Sequence, residues 1–578
     1  MEKIKALWED KRITLLALLV ASGMVILFYW RKIPLIYTVW ELVDEYGYLA
    51  NAAYLSGVEW NPMINLYYGY GYSFLLVPLF WIFDTGIEII RGAIFVNALC
   101  VVGLLWVQYL LMTKIFNRIN RNAIVGISFA FCFFPYIVSS ALKVIPECLL
   151  TLMIWVCGFL LYQAVDTGKR RYYILLAVAL VYTFFVHTRT VVFCVVLIGV
   201  VGILCVKKQI DTKNLVLFLI ICAVAFFAGT MLKNQVIDAV YSRLLFAEEA
   251  TEVGNTLSIA SIWEKLVELL VDFSVLHINS LSAKLFYIFV STAGMAFIGF
   301  YSAIKDGVKQ LGTGQRVDIK AIISVLYAVS MLMMAIALVV NPMGQTEGTG
   351  HYFYARYYEY LIAPVAFLGV CNCLEKKLSI KEVLGSIAVF FAVSWFTLDL
   401  AGYLHTQEFY YDSNRMPAFS YIMNTRHLFE DVIKACVIFA LMAFVVVNIL
   451  GHIKWMKYSV VIVMFLFFKL NNNVNVDGII GIHSRNMVLH SFAEYIHGNY
   501  DVEEVYFLNG DEPIYTAYTG MQALLGPEKL NVIEVGDLEQ IESGDLVMTF
   551  YHNPYIEQID REKTWLMEMG TYELWVVD

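Results

Sequence analysis

Residues 39–57 read VWELVDEYGYLANAAYLSG and follow directly on the first long apolar segment of the chain. Set on a helix, Glu41, Asp44, Glu45 and Tyr48 fall at i, i+3, i+4 and i+7 on one face, while Leu42, Tyr46, Leu49 and Ala53 form another. Three carboxyls on one stripe repel one another, and beside a bilayer that crowding has no structural benefit. The plain reading is a solvated amphipathic helix lying on the membrane. The functional reading is a catalytic carboxylate with a helper that engages a cation, a sugar hydroxyl or an acceptor.

The surroundings of this stretch set the class. Of 578 residues 60% are hydrophobic and 15% charged, where soluble chains average about 25% charged. The composition excludes fibrous, disordered and nucleic-acid-binding proteins and predicts a mainly α, polytopic membrane protein. Thirteen apolar segments can be drawn, near 13–30, 91–113, 123–141, 147–165, 172–186, 191–206, 214–232, 284–303, 321–340, 359–374, 383–402, 432–450 and 458–470. The run Gly71 to Ile90 is left out, because Pro78, Asp84, Gly86 and Glu88 interrupt it; it predicts an interfacial or re-entrant pair of helices.

Lysine and arginine test that count, since they concentrate in cytoplasmic connections. The N-terminus and the connections carrying Lys114/Arg118/Arg121, Lys169/Arg170/Arg171, Lys207/Lys208/Lys213, Lys305/Lys309/Arg316/Lys320, Lys376/Lys377/Lys381 and Lys454/Lys457 hold 22 of the 40 basic residues. They alternate with loops poorer in basic residues, which predicts a cytoplasmic N-terminus. The first segment ends in Tyr29-Trp30-Arg31-Lys32, an interfacial anchor, and lacks a small-residue cleavage site, so it reads as a retained span rather than a signal peptide.

Thirteen spans place the tail outside. Residues 471–578 carry 19 acidic and 4 basic residues and read as a small extracytoplasmic α/β domain: a helical pattern over 484–498, then strand runs VEEVYFLN, LNVIEV, DLVMTF and ELWVV. They contain no Gly-x-Gly-x-x-Gly or Walker pattern, which leaves packing on the membrane part or binding an acceptor. The expected organisation is therefore a transmembrane domain over 1–470, with its first outer loop at 31–90, followed by that domain. All ten cysteines lie in or beside apolar segments, and the Cys371-x-Cys373 pair has no second pair to complete a zinc site, so neither a disulfide framework nor a structural metal is expected.

A hydrophobic residue, Asp44-Glu45, an aromatic pair and a small-residue helix directly after the first span resemble the first outer loop of the glycosyltransferases with the C-type fold (GT-C). The bacterial members allied to protein O-mannosyltransferases and to the aminoarabinose transferase of lipid A are the most similar. Tyr67-Tyr68-Gly69-Tyr70-Gly71-Tyr72-Ser73 leading into LLVPLF resembles the Gly-rich turn and proline-bearing helix that follow in that family. The likeness extends to an Arg-Tyr pair at 356, and departs from the protein O-mannosyltransferases in having no inserted β-trefoil domain.

The resemblance implies transfer of a sugar from a polyprenyl-phosphate donor to a glycan, lipid or protein hydroxyl outside the cytoplasm, with inversion. Asp44 then matches the catalytic base and Glu45 the helper, which positions the acceptor or shares a divalent cation with Asp44; cation use varies within the superfamily, and no cofactor is fixed by the sequence. Glu41 and Tyr48 share their face as substrate contacts. The leaving phosphate needs fixed cations, and the fork of Arg356 suits phosphate oxygens; Arg189 and Lys143 are further candidates on the outer side. Lys143 and Glu147, four apart, can equally pair with each other. His351 and Tyr357 belong to an aromatic wall suited to a sugar face or a polyprenyl chain. Alternatives from other classes are a lipid-linked solute transporter or flippase and a polytopic polysaccharide polymerase or ligase. The simple loops point to a bacterial plasma membrane.

Overall fold

A backbone in hydrocarbon has no partner but itself, and all thirteen apolar segments are helical. The computed structural model describes residues 11–39, 42–241, 274–311, 317–340, 350–376, 378–403, 416–422, 427–453, 456–485, 487–509 and 515–578, with isolated positions at 253, 254, 267, 271, 408 and 409. Among the described residues nine helices are long and apolar enough to cross a membrane, and two bent helix pairs bring the number to eleven. The chain is a multi-pass membrane protein.

Eleven of the thirteen expected segments are among these, and the other two are apolar helices as well. Arg170–Val186 and Glu359–Glu375 are helices of 17 residues, short of the roughly 20 that a straight crossing takes. The segment at 123–141 is two helices, Arg121–Cys132 and Pro135–Ala141, bent by 55°; Pro135 disfavours the helical region for the residue before it, and Phe134 is extended at ψ 132°. The segment at 284–303 breaks by 108° between Val275–Ser291 and Met295–Gln310, where Ala293 and Gly294 have φ of 47° and 73°. Tyr70–Ile82, a 13-residue helix containing Pro78, stops before Gly86–Ile115 begins, as the interruptions in the sequence predicted.

The segment drawn as ending at 470 continues as one 27-residue helix, Ser459–Arg485, so the boundary set at 470/471 falls inside it. Its asparagines are bound rather than free in a linker: Asn472 Nδ2 donates to the Phe133 carbonyl at 2.7 Å and Asn475 Nδ2 to the Pro417 carbonyl at 2.8 Å.

The C-terminal unit opens with the helix Met487–Asn499. Five strands follow, β1 (Glu504–Leu508), β2 (Lys529–Ile533), β3 (Leu546–Phe550), β4 (Lys563–Met569) and β5 (Tyr572–Val577), in the spatial order β2-β1-β3-β5-β4. β1 is parallel to β2 and β3, and β5 is antiparallel to β3 and β4. The sequence had shown four of these runs; β4 is an edge strand whose burial does not alternate, so it lacks the period-2 signal.

This unit packs on the loop after the first span. Trp60 Nε1 donates to the Gly526 carbonyl at 2.7 Å, and Asn61 Nδ2 donates to the Leu530 carbonyl at 2.9 Å and to Asn531 Oδ1 at 2.8 Å. Gly86 is so close that a Cβ there would lie 2.2 Å from the Ala523 carbonyl oxygen.

Candidate active site

The residues 39–57 form a helix over Leu42–Ser56 as read, with Asp44 and Glu45 in its first turn. Gly47 leaves the helix surface bare: a Cβ there would fall 2.1 Å from the Tyr68 ring. Tyr68 lies in that space and its hydroxyl donates to Asp44 Oδ1 at 2.7 Å. Its carbonyl is fixed from behind by Asn51 Nδ2 at 2.9 Å. The Gly-rich turn that carries Tyr68 rests on the end of Arg170–Val186, since a Cβ on Gly69 or Gly71 would meet backbone atoms of Phe185 and Val186 at 2.5 to 2.9 Å. That contact places the next turn, His187 to Thr190, where Arg189 reaches Glu147.

Arg356 arrives from far along the chain, on the short turn Ala355–Tyr357, after Tyr354 in the left-handed region at φ 29°. Its Nη1 donates to Asp44 Oδ2 at 2.7 Å and its Nε to Glu147 Oε1 at 2.8 Å. Arg189 Nη2 donates to the same Glu147 oxygen at 3.1 Å, and its guanidinium lies 5.4 Å from the Tyr357 ring and 5.5 Å from Tyr360, a cation–π clamp. Two carboxylates and two guanidiniums thus close on each other without formal net charge. The Asp44 side chain keeps 27% exposure, against 9% for Arg356 and 0% for Glu147, so an incoming molecule meets Asp44 first. Arg189 Nε and Glu147 Oε2 are buried with no partner among the described residues.

The neighbours stay uncharged. Burial, then the Asp44 charge, pushes the Tyr68 hydroxyl above its ordinary range, so it remains a donor. Burial likewise raises Tyr48, which stands edge-on to Tyr68 at 5.3 Å. Burial and then Arg189 hold the His187 imidazole well below its usual range, and its Nδ1 accepts from the Arg189 backbone N–H at 3.3 Å.

Asp44, Arg356, Arg189, Tyr48 and Tyr357 are brought together as the sequence grouped them. Glu45 is buried and turned to the other side, where its Oε2 accepts from the Val144 N–H at 2.9 Å. Lys143 is buried in that same turn, with its carbonyl bound by Asn97 Nδ2 at 2.7 Å. Glu41 lies outside the described residues, as does the side chain of His351.

The pairing expected between Lys143 and Glu147 is replaced: residues 142–146 are turn rather than helix, so the i,i+4 spacing does not align them, and Glu147 binds the two arginines instead. Glu147 and Tyr68 are the members that sequence reasoning missed. A carboxylate opening an apolar span is costly unless paired, which was the signal for Glu147; Tyr68 had none beyond its place between glycines.

The cluster sits at one end of the helices. Glu147–Thr167 runs from it to Lys169, Arg170–Val186 returns, and Glu359–Glu375 runs from it to Lys376. The far end has its own ion pairs, Lys305 with Glu382 at 2.9 Å and Lys320 with Glu375.

Among the described residues no group of three His, Cys, Asp or Glu side chains is set to hold a metal ion. Asp44 and Glu45 do not face one another as a cation pair: Glu45 Oε2 accepts from the Val144 N–H, while Asp44 Oδ2 accepts from Arg356.

No family model and no curated protein matches the sequence. Among solved structures, ArnT from Cupriavidus metallidurans bound to undecaprenyl phosphate is similar at TM-score 0.52 and 11% identity, over 96% of this chain and 97% of that one. The same protein in the apo state gives 0.49 and 11% over 98% of each chain. The oligosaccharyltransferase of Archaeoglobus fulgidus in the apo form gives 0.45 and 10% over 91% of this chain and 65% of that one. The match to bound ArnT covers both chains almost end to end, and on that match the chain has the GT-C fold.

Proposed function

We propose that the chain is an inverting glycosyltransferase that moves a sugar from a polyprenyl-phosphate donor to an acceptor hydroxyl, on a cell-envelope glycan or glycolipid, at the outer face of a bacterial plasma membrane. The observation that carries this reading is the meeting of Asp44 with Arg356 across 312 positions of sequence. A carboxylate and a phosphate-suited arginine converge at the helix ends opposite the basic connections. In this orientation the N-terminus is cytoplasmic and the C-terminal unit extracytoplasmic, with the cluster at the outer surface.

The chemistry follows from the residues. A carboxylate has about four lone-pair sites, of which Tyr68 and Arg356 take two on Asp44. An acceptor hydroxyl hydrogen-bonded to the remainder gives its proton to Asp44 as its oxygen attacks the anomeric carbon. The bond from that carbon to the phosphate oxygen breaks, and the electron pair leaves on the phosphate. Arg356 and Arg189 are the cations for that charge: a phosphate draws Arg356 from Asp44, so donor binding unlocks the base. Until then the pair holds both in register. Glu147 keeps the two arginines at one spacing, and the Tyr357 and Tyr360 rings brace Arg189.

Comparison of cells with and without the gene tests the reading. Loss should accumulate a polyprenyl-phosphate monosaccharide and remove one sugar from an envelope glycan, both visible by mass spectrometry. Loss of sugar transport across the membrane with no change in any glycan would favour a flippase and end the proposal.

A further inference from the structure

A cleft of about 480 Å³ lies on the flank of the bundle, between the first span, the helix Arg121–Cys132 and the span Ser459–Arg485. Its floor is aromatic: Phe28, Phe129, Phe133 and Phe465 touch ring to ring at 5.1 to 5.6 Å. Its rim is cationic. Arg31 and Lys32 from the end of the first span and Lys469 from the last face one opening, with a single carboxylate, Asp477, among the lining residues. Arg31 and Lys469 are exposed and Lys32 is half-buried, and among the described residues none of the three is ion-paired.

An isolated interfacial lysine snorkels along its own helix; three cations from two helices over a shared apolar floor form a complementary surface for a phosphate with a hydrocarbon chain. The dimensions select the occupant. From Met24 to Lys32 the first span rises about 12 Å, against about 15 Å for the hydrocarbon of one leaflet. Below Met24 and Phe129 a second cavity of about 540 Å³ continues along the same two helices with no charged lining residue, so the cationic part is one leaflet deep.

We propose that this cleft binds one anionic phospholipid, its phosphate against Arg31, Lys32 and Lys469 and an acyl chain on the phenylalanine floor. The site shares no residue with the Asp44–Arg356 cluster and stands whether or not that cluster transfers sugar; the leaflet it draws from is the one facing that cluster. The bound lipid clamps the first span to the last, and so fixes the base of the loop that carries Asp44.

The test uses the full-length protein in mild detergent with native mass spectrometry, titrated with phosphatidylglycerol, phosphatidylcholine and undecaprenyl phosphate. One phosphatidylglycerol per chain should be retained in preference to phosphatidylcholine. In the Arg31→Gln/Lys32→Gln/Lys469→Gln variant its affinity should fall roughly 100-fold, about fivefold for each cation removed, at unchanged far-ultraviolet circular dichroism. Equal retention of both phospholipids, or unchanged affinity in the variant, overturns the proposal. Displacement of phosphatidylglycerol by equimolar undecaprenyl phosphate overturns it in favour of a carrier lipid running through both cavities.

Discussion

Glu147 is the joint of the cluster, and replacing it by glutamine is the most informative perturbation of its architecture. The carboxylate accepts from Arg356 Nε at 2.8 Å and from Arg189 Nη2 at 3.1 Å with no exposed surface of its own. Removing one partner of a buried ion pair costs about 3–5 kcal/mol, because the remaining charge is left uncompensated. Glutamine keeps the shape and one acceptor oxygen, so the loss should fall near the lower end, about 3 kcal/mol. Arg356 retains Asp44 in this variant, whereas Arg189 retains only its aromatic clamp, so Arg189 is the side chain that moves. The assay is a double-mutant cycle by reversible denaturation in mixed micelles, with Glu147→Gln, Arg189→Gln and the pair. Groups in direct contact couple by about 0.5–3 kcal/mol, and the double variant should be more stable than the sum of the single losses predicts. Additivity within about 0.5 kcal/mol would refute the contact and with it the geometry of the cluster.

Further outcomes follow from individual contacts. Gly71→Ala places a Cβ 2.6 Å from the Val186 backbone nitrogen, where nothing flexible can yield, and should destabilise by about 1–3 kcal/mol or more while displacing Tyr68; Gly23→Ala, which meets nothing within 4 Å, should leave the melting temperature of the purified protein unchanged. Ending the chain after Arg485 uncovers Trp60 and Asn61 and should lower activity and thermal stability without changing which sugar is transferred. His497 Nε2 lies 3.2 Å from Glu528 Oε2, and that bond raises the histidine above its ordinary value. Its contribution to stability is therefore complete below about pH 6.5, the unfolded value, and is lost as pH rises through the raised one. Thermal melts from pH 5.5 upward should show the decline, and His497→Gln should flatten it.

The fold was legible because hydrophobic length is a strong signal: all thirteen apolar segments are helical, two of them as bent pairs of helices. Bends were not legible where they depend on backbone conformation at Ala293 and Gly294, or on one proline such as Pro135 acting inside an apolar run. Asp44 stood out since a carboxylate stripe beside a membrane has few structural reasons, and Arg356 since arginine is scarce outside the basic connections. Glu147 was misassigned because spacing rules presume a continuous helix, and the chain turns between Leu142 and Pro146. Tyr68 was hidden because its role depends on the bare surface at Gly47, a tertiary fit that no local pattern carries. The boundary set at 470/471 fell inside a helix, since the polar run Asn471-Asn472-Asn473 reads as a linker unless Asn472 is known to bind the Phe133 carbonyl.

The most direct test of the central claim separates binding from turnover at Asp44. Asp44→Asn removes the base but leaves Tyr68 a hydrogen-bond acceptor, and it releases Arg356 from its carboxylate at 2.7 Å. With purified protein and a polyprenyl-phosphate sugar, the single-turnover rate should fall by roughly 100- to 10,000-fold, the range of general-base catalysis. The donor Kd should stay the same or tighten, because the freed guanidinium is available to phosphate. A variant that transfers sugar at the wild-type rate, or that loses rate and donor binding in equal proportion, would contradict the assignment of Asp44 as the base.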